Sequence, residues 1–194
     1  MGSKNEWDYS SRNGPSTWVE KFPMAAGSRQ SPVNIETDRV ESDHEALSSK
    51  PLRWKYPATA SRKLVNPGYC WRIDTDGDGT PPLGSLEHKQ VQDIRGSCES
   101  VGWSRGVGCL PQDDNGYWTY LGSLTTPPFN ESVTWILFKK YIEVSHHQLN
   151  IFRNLRKFPR GEECPCHENH GAVINNFRPP LPLGNRVLRE CGSF

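Results

Sequence analysis

Apolar and polar positions alternate most cleanly in the first half of the chain. Leu52-Arg53-Trp54-Lys55-Tyr56 and Tyr69-Cys70-Trp71-Arg72-Ile73 each repeat with period two, the spacing of a half-buried strand. Asn66-Pro67-Gly68 stands between them as a turn signal. Ser132-Val133-Thr134-Trp135-Ile136-Leu137-Phe138 is the strongest strand candidate, because it is rich in β-branched and aromatic residues. Ser145 suits a helix N-cap, and Leu149, Phe152 and Leu155 then share one face of a helix running to about residue 156. Residues 1–35 are irregular and turn-rich. Their aromatic residues Trp7, Tyr9, Trp18 and Phe22 predict a segment that wraps a core. The stretch 177–183 is punctuated by proline. Residues 85–116 show neither period, an unusual length of patternless chain for a compact domain. The elements predict a mostly β (α+β) protein with short helices.

Composition narrows the possible functions. The chain has 194 residues, 34% of them hydrophobic, with 17 glycines and 16 prolines. That length fits one domain, here 1–194, able to bury roughly 70% of its unfolded surface. Seven tryptophans, six tyrosines and seven phenylalanines argue for a packed core. The formal net charge is +1 with both signs mixed, which excludes an electrostatic footprint for nucleic acid. No apolar run approaches the ~20 residues of a membrane span. Met1-Gly2-Ser3-Lys4-Asn5-Glu6 has no apolar h-region, and Glu6 occupies the place where a myristoylation motif needs Ser or Thr. The expectation is a cytoplasmic protein whose six cysteines are reduced thiols.

Local motifs offer little chemistry. Asp74-Thr75-Asp76-Gly77-Asp78-Gly79 opens like a calcium loop. Its twelfth position is Ser85, however, and Pro81-Pro82 blocks the exiting helix, so a solvated loop accounts for it better. Cys164-Pro165-Cys166-His167 with His170 crowds its ligands more closely than zinc sites do. His146 and His147 are adjacent at a helix start and diverge. His44 has no evident partner. No Gly-x-Ser-x-Gly elbow or glycine-rich phosphate loop is present.

Three blocks taken together are far more specific. They are Trp7-Asp8-Tyr9, Asn13-Gly14-Pro15, Trp18 and Gln30-Ser31-Pro32-Val33-Asn34-Ile35; then Tyr117-Trp118-Thr119-Tyr120-Leu121-Gly122-Ser123-Leu124-Thr125-Thr126-Pro127-Pro128 with Glu131-Ser132-Val133-Thr134-Trp135; and Asn176-Phe177-Arg178-Pro179-Pro180 with Pro182-Leu183. The chain resembles an α-class carbonic anhydrase over about residues 7–92 and 110–190. Asn66-Pro67-Gly68-Tyr69-Cys70-Trp71 and Glu163-Cys164-Pro165-Cys166 resemble the cytosolic invertebrate type. The resemblance implies a large twisted, mostly antiparallel sheet with short helices outside it. It implies reversible hydration of CO2 to bicarbonate at a zinc held by three histidines, the metal lowering its water's pKa to about 7. Thr125 matches the threonine that orients the zinc-bound hydroxide, and Thr126 matches a residue lining the same pocket. Leu124 and Trp135 match the apolar wall for CO2. Tyr69 matches the proton-shuttle position, where a phenol with a pKa near 10 serves poorly at neutral pH.

The resemblance also implies what this chain lacks. The family sets two zinc histidines as His-x-His on one strand, where alternate residues share a face. Here His88-Lys89-Gln90-Val91-Gln92 runs into Asp93-Ile94-Arg95-Gly96 without a histidine. The third-ligand motif and the glutamate that receives the threonine's proton are absent as well. None of the six histidines forms a His-x-His pair. The anomalous segment 93–109 stands where the family has its central strands, so those strands are expected to be lost, and no zinc ligand set is identifiable. Three readings follow: a family member that has lost catalysis, a non-catalytic binding module related to carbonic anhydrases, or an incomplete product such as a splice form or misread coding sequence. Each predicts a chain of low stability, with open strand edges and exposed apolar faces.

Overall fold

The computed structural model describes residues 7–43, 63–66, 68–70, 72–74, 116–140, 144–158, 161–162 and 168–191. Among these residues the main sheet has four strands in the spatial order β1 (Glu41–Ser42), β6 (Arg189–Cys191), β4 (Tyr117–Gly122), β5 (Val133–Phe138). Strand β6 runs parallel to β1 and antiparallel to β4, and β4 is antiparallel to β5. A separate two-stranded ladder joins β2 (Lys63–Val65) to β3 (Arg72–Asp74). Among the described residues the helices are α1 (Trp18–Lys21) and α2 (His146–Arg153), with short 3-10 turns at Pro23–Ala26, Thr37–Arg39 and Glu168–Gly171. This mixed sheet with few, short helices is compatible with the mostly β reading. Among the described residues, no helix is long and apolar enough to cross a membrane.

Strand β5 forms where its β-branched and aromatic run predicts. Its register sets Trp135 against Tyr120 and Leu137 against Trp118, so one face of the β4–β5 pair carries four large side chains. That face packs on Val33 and Leu188, joined by Ile35, Val40 and Leu183. The Tyr120 and Trp135 rings stack, with centroids 6.4 Å apart.

A second core forms under the N-terminal segment. Trp18, Ala25 and Phe129 are buried there, with Trp7, Tyr9 and Phe22 against them. The segment therefore wraps a core, as its aromatic content predicts. The indole N–H of Trp18 donates to the Asn13 carbonyl at 2.9 Å, so the ring is buried without orphaning its donor. Burying the Phe129 side chain completely contributes about 1.5–3 kcal/mol.

Two predicted elements differ in extent. The strand expected to begin at Tyr69 begins at Arg72, and residues 68–70 bend instead. The Tyr69 ring turns to Trp7 and its carbonyl accepts from Asn176 Nδ2, contacts that hold it out of the ladder. The partner of β3 is 63–65, and the predicted strand at 52–56 lies outside the described residues. The turn between them needs its glycine: Gly68 has φ +93°, and a Cβ there would sit 3.1 Å from the Lys157 carbonyl. Helix α2 stops at Arg153, short of 156. Beyond it, the Leu155 carbonyl accepts from Val173 N and Lys157 N donates to the Gly171 carbonyl. Pairing with residues 171–173 outcompetes another helical turn.

Candidate functional site

The loop Leu124-Thr125-Thr126-Pro127-Pro128 connects β4 to β5. Leu124 N donates to the Asn130 carbonyl at 3.0 Å, and Phe129 N donates to the Thr126 carbonyl at 2.9 Å, which closes the loop. Leu124, Thr125 and Thr126 are half-buried. Phe129 then takes φ 60° with its side chain fully buried. A left-handed non-glycine residue costs about 1–3 kcal/mol, and the ring's place between Trp18 and Phe22 offsets it. Strain is thus held directly beside the threonines.

A buried polar knot fixes this loop. Ser31 N donates to Ser123 Oγ and Ser123 N donates to Ser31 Oγ, each at 3.0 Å. The Tyr120 hydroxyl donates to Ser31 Oγ at 3.2 Å. Arg178 donates to Gln30 Oε1, to the Ser31 carbonyl and to the Ala25 carbonyl at 2.8–3.0 Å. Its guanidinium lies 4.6 Å from the Phe129 ring centroid. Gln30 Nε2 donates to the Phe129 carbonyl and to Glu131 Oε1, both at 3.0 Å. Gly122 is required by this closeness, since a Cβ there would fall 2.2 Å from Ser31 Oγ.

The charges within the knot respond to it. Burial pushes the Arg178 pKa down from its ordinary value. At Glu131 burial pushes the carboxyl up, but hydrogen bonds from Gln30 and Arg29 N, with the Arg29 charge, outweigh it and leave the pKa lowered. Burial raises the Tyr120 phenol against the hydrogen bond to Ser31.

The three sequence blocks therefore meet in one place: Gln30 and Ser31 from the first, Ser123 and Glu131 from the second, Arg178 from the third. Pattern reading does not single these residues out as site residues, because burial of a polar side chain leaves no periodic trace. Their only signal was membership in the blocks.

Of the predicted site residues, Leu124, Thr125, Thr126 and Trp135 are brought into one neighbourhood. The Trp135 indole N–H donates to the Ser123 carbonyl at 3.1 Å, which ties Trp135 to the loop. Tyr69 stands apart from them in the aromatic cluster, its ring 4.9 Å from Trp7. Rings connect it onward: Trp7 to Trp18 at 5.9 Å, and Trp18 to Phe129 at 5.2 Å. Tyr69 also borders a cavity of about 440 Å³ with Tyr9, Asn13, Lys157 and Asn176. Burial, followed by the nearness of Cys70 and Tyr69, pushes the Tyr9 phenol up to about 12.

Zinc would need three or four converging nitrogen, sulfur or carboxylate donors. Among the described residues, no group of three or more His, Cys, Asp or Glu side chains is placed to hold a metal ion. His146 and His147 open α2 side by side, and His170 sits in the turn at Glu168–Gly171. The described donors do not fit a zinc ion. His44, His88, Cys164, Cys166, His167 and the segment 93–109 lie outside the described residues.

The sequence profile of eukaryotic-type carbonic anhydrase matches residues 13–95 and 89–192. "Carbonic anhydrase 7" of Homo sapiens is 27% identical over 268 aligned positions, covering 97% of this chain and 98% of the relative. "Carbonic anhydrase 1" of Mus musculus is 26% identical over 263 positions, covering 95% of this chain and 97% of the relative.

Proposed function

Because this chain belongs to the eukaryotic-type carbonic anhydrase family, we propose that it is a member that keeps the threonine loop and its apolar wall but has lost the three-histidine zinc site. The family interconverts CO2 and bicarbonate and is generally zinc-dependent. In this reading the chain, as one domain over 1–194, does not hydrate CO2. The observation that carries it is the sequence between Gln92 and Leu124, which contains no histidine.

The alignments support the same reading. Of 194 residues, 97% is about 188, so about 80 of the 268 positions aligned with carbonic anhydrase 7 have no residue of this chain opposite them. The family profile matches in two pieces that meet at 89–95, where the expected histidine strand should begin. The proposal places the missing positions there and counts the central strands among them.

Zinc has no place in the mechanism proposed for this chain. What remains belongs to its own residues. Thr125 and Thr126 present hydroxyls from a loop fixed by Ser31, Ser123 and Arg178. Leu124 and Trp135 supply the wall on which CO2 would rest. Tyr69 stands at the shuttle position within a ring cluster. These groups position and exclude water without supplying a nucleophile. The protein is placed in the cytoplasm by the same reading, without nucleic acid or membrane as partner.

Stopped-flow CO2 hydration by the purified chain tests this directly. The expected rate equals the buffer blank; turnover on the scale of kcat/KM above about 10⁴ M⁻¹s⁻¹ would overturn the reading. The two-piece match also favours an internally incomplete product of a gene that encodes an active enzyme. Sequencing the transcript across Gln92 to Pro111 decides that: a His-x-His strand found there establishes it, and the printed sequence refutes it.

A further inference from the structure

The cavity beside Tyr69 is walled by three stretches of chain, around residues 8–13, 68–69 and 157–176, and by no residue of the threonine loop. Those stretches are pinned to one another. Asn66 Nδ2 donates to the Arg156 carbonyl at 2.8 Å, and Asn176 Nδ2 donates to the Tyr69 carbonyl at 3.2 Å. Lys157 N donates to the Gly171 carbonyl at 2.8 Å, and the Trp7 ring meets the Tyr69 ring with centroids 4.9 Å apart. The chain itself therefore sets the shape of the cavity, which lowers the ordering cost of binding there.

The lining has one net sign of charge. Arg12 and Lys157 reach the cavity from different walls, and both are exposed. Among the described residues, no hydrogen bond or ion pair engages the Arg12 guanidinium or the Lys157 ammonium. Asp8 is the one carboxylate among the lining residues. Its Oδ1 already accepts from Ser10 N and Ser10 Oγ, each at 2.7 Å. Val173 and Ile174 add apolar surface, and Tyr9 adds a phenol. Burial, followed by the nearness of Cys70 and Tyr69, pushes that phenol up to about 12, so it keeps its proton at neutral pH.

Two cations on separate walls, with apolar surface in the same cavity of about 440 Å³, suit a ligand with two anionic ends and an apolar middle. The volume lies within the range of small-molecule sites. We propose that this cavity binds a short α,ω-dicarboxylate, with Arg12 holding one carboxylate and Lys157 the other. The planar guanidinium meets a carboxylate through two N–H donors, and the ammonium supplies a point charge. The methylenes rest against Val173 and Ile174. The site goes beyond the loss of zinc and does not depend on it.

Calorimetric titration of the full chain with succinate, glutarate and adipate, at low and constant ionic strength, tests the proposal. Acetate and inorganic phosphate serve as comparison ligands. The expected result is one saturable site per chain for at least one dicarboxylate, with acetate and phosphate about tenfold weaker or more. Arg12→Ala and Lys157→Ala are each expected to weaken that binding about tenfold, and added salt should weaken it further. Amide NMR shifts of the unaltered chain guard against a variant that fails to fold. The dicarboxylate is expected to move Gly68, Tyr69 and Val173 and to leave Val133–Phe138 in place. Absence of saturable binding by all three dicarboxylates overturns the proposal. So does phosphate or acetate binding as tightly as the best dicarboxylate, binding that survives both substitutions, or shifts that miss the cavity.

Discussion

Arg178 shows how single residues hold the threonine loop. Its guanidinium serves three acceptors from separate segments while stacking on Phe129. Arg178→Leu takes the guanidinium donor from the buried Ser31 and Ala25 carbonyls and leaves Gln30 Oε1 only Ser123 Oγ at 3.3 Å, and each buried group left without a donor costs about 1–3 kcal/mol. The urea midpoint should fall accordingly, and Arg178→Lys should recover only part, because an ammonium cannot reproduce the fork. Ser123→Ala should cost about 1–3 kcal/mol by orphaning Ser31 N. Glu131 gives a pH signature. Its folded pKa is lowered, so its contribution is complete above the unfolded value of about 4.3 and disappears as pH falls through the lower folded value. Thermal scans at stepped acid pH should show the natural protein losing stability across that window, with Glu131→Gln changing less. These residues are the part of the site that pattern alone does not reveal. Leu124, Thr125, Thr126 and Trp135 stand in one block of the resemblance, whereas Gln30 and Ser31 reach that block across 99 and 92 residues of chain, and Arg178 reaches Gln30 across 148.

Elements were legible in proportion to their length and regularity. Strand β5 was evident because six consecutive residues favour extended chain. Helix α2 was evident from Ser145 and its apolar spacing, and the cap is present in full: Gln148 N donates to Ser145 Oγ, and Ser145 N donates to Gln148 Oε1. Ser145→Ala should cost about 1 kcal/mol, read as loss of helical signal and earlier exchange of the first-turn amides. Strands β1 and β6 were not legible. They are two and three residues long, and Arg189-Glu190-Cys191 has no strand character of its own. Tertiary pairing creates them: β6 is wedged between β1 and β4, with Lys139 ion-paired to Glu190 across the sheet. The same override moved the start of β3 and the end of α2, where Asn176 and residues 171–173 capture backbone groups that local preference would have used otherwise.

At the scale of the whole molecule, the described residues form two cores and a four-stranded sheet from segments that belong to a longer family domain. If the central strands are missing, apolar faces and an edge that would be covered remain open, and stability should be low. The purified chain is expected to melt broadly, beneath the about 45–65 °C of ordinary mesophile domains, and the transition should shift with protein concentration if copies associate. A sharp, concentration-independent melt in that range would argue that the missing strands are replaced within the chain. The most direct test of the central claim is metal content: zinc per chain after incubation with excess zinc and removal of loosely bound ions. The account predicts far less than one zinc per chain. One firmly held zinc per chain would contradict it.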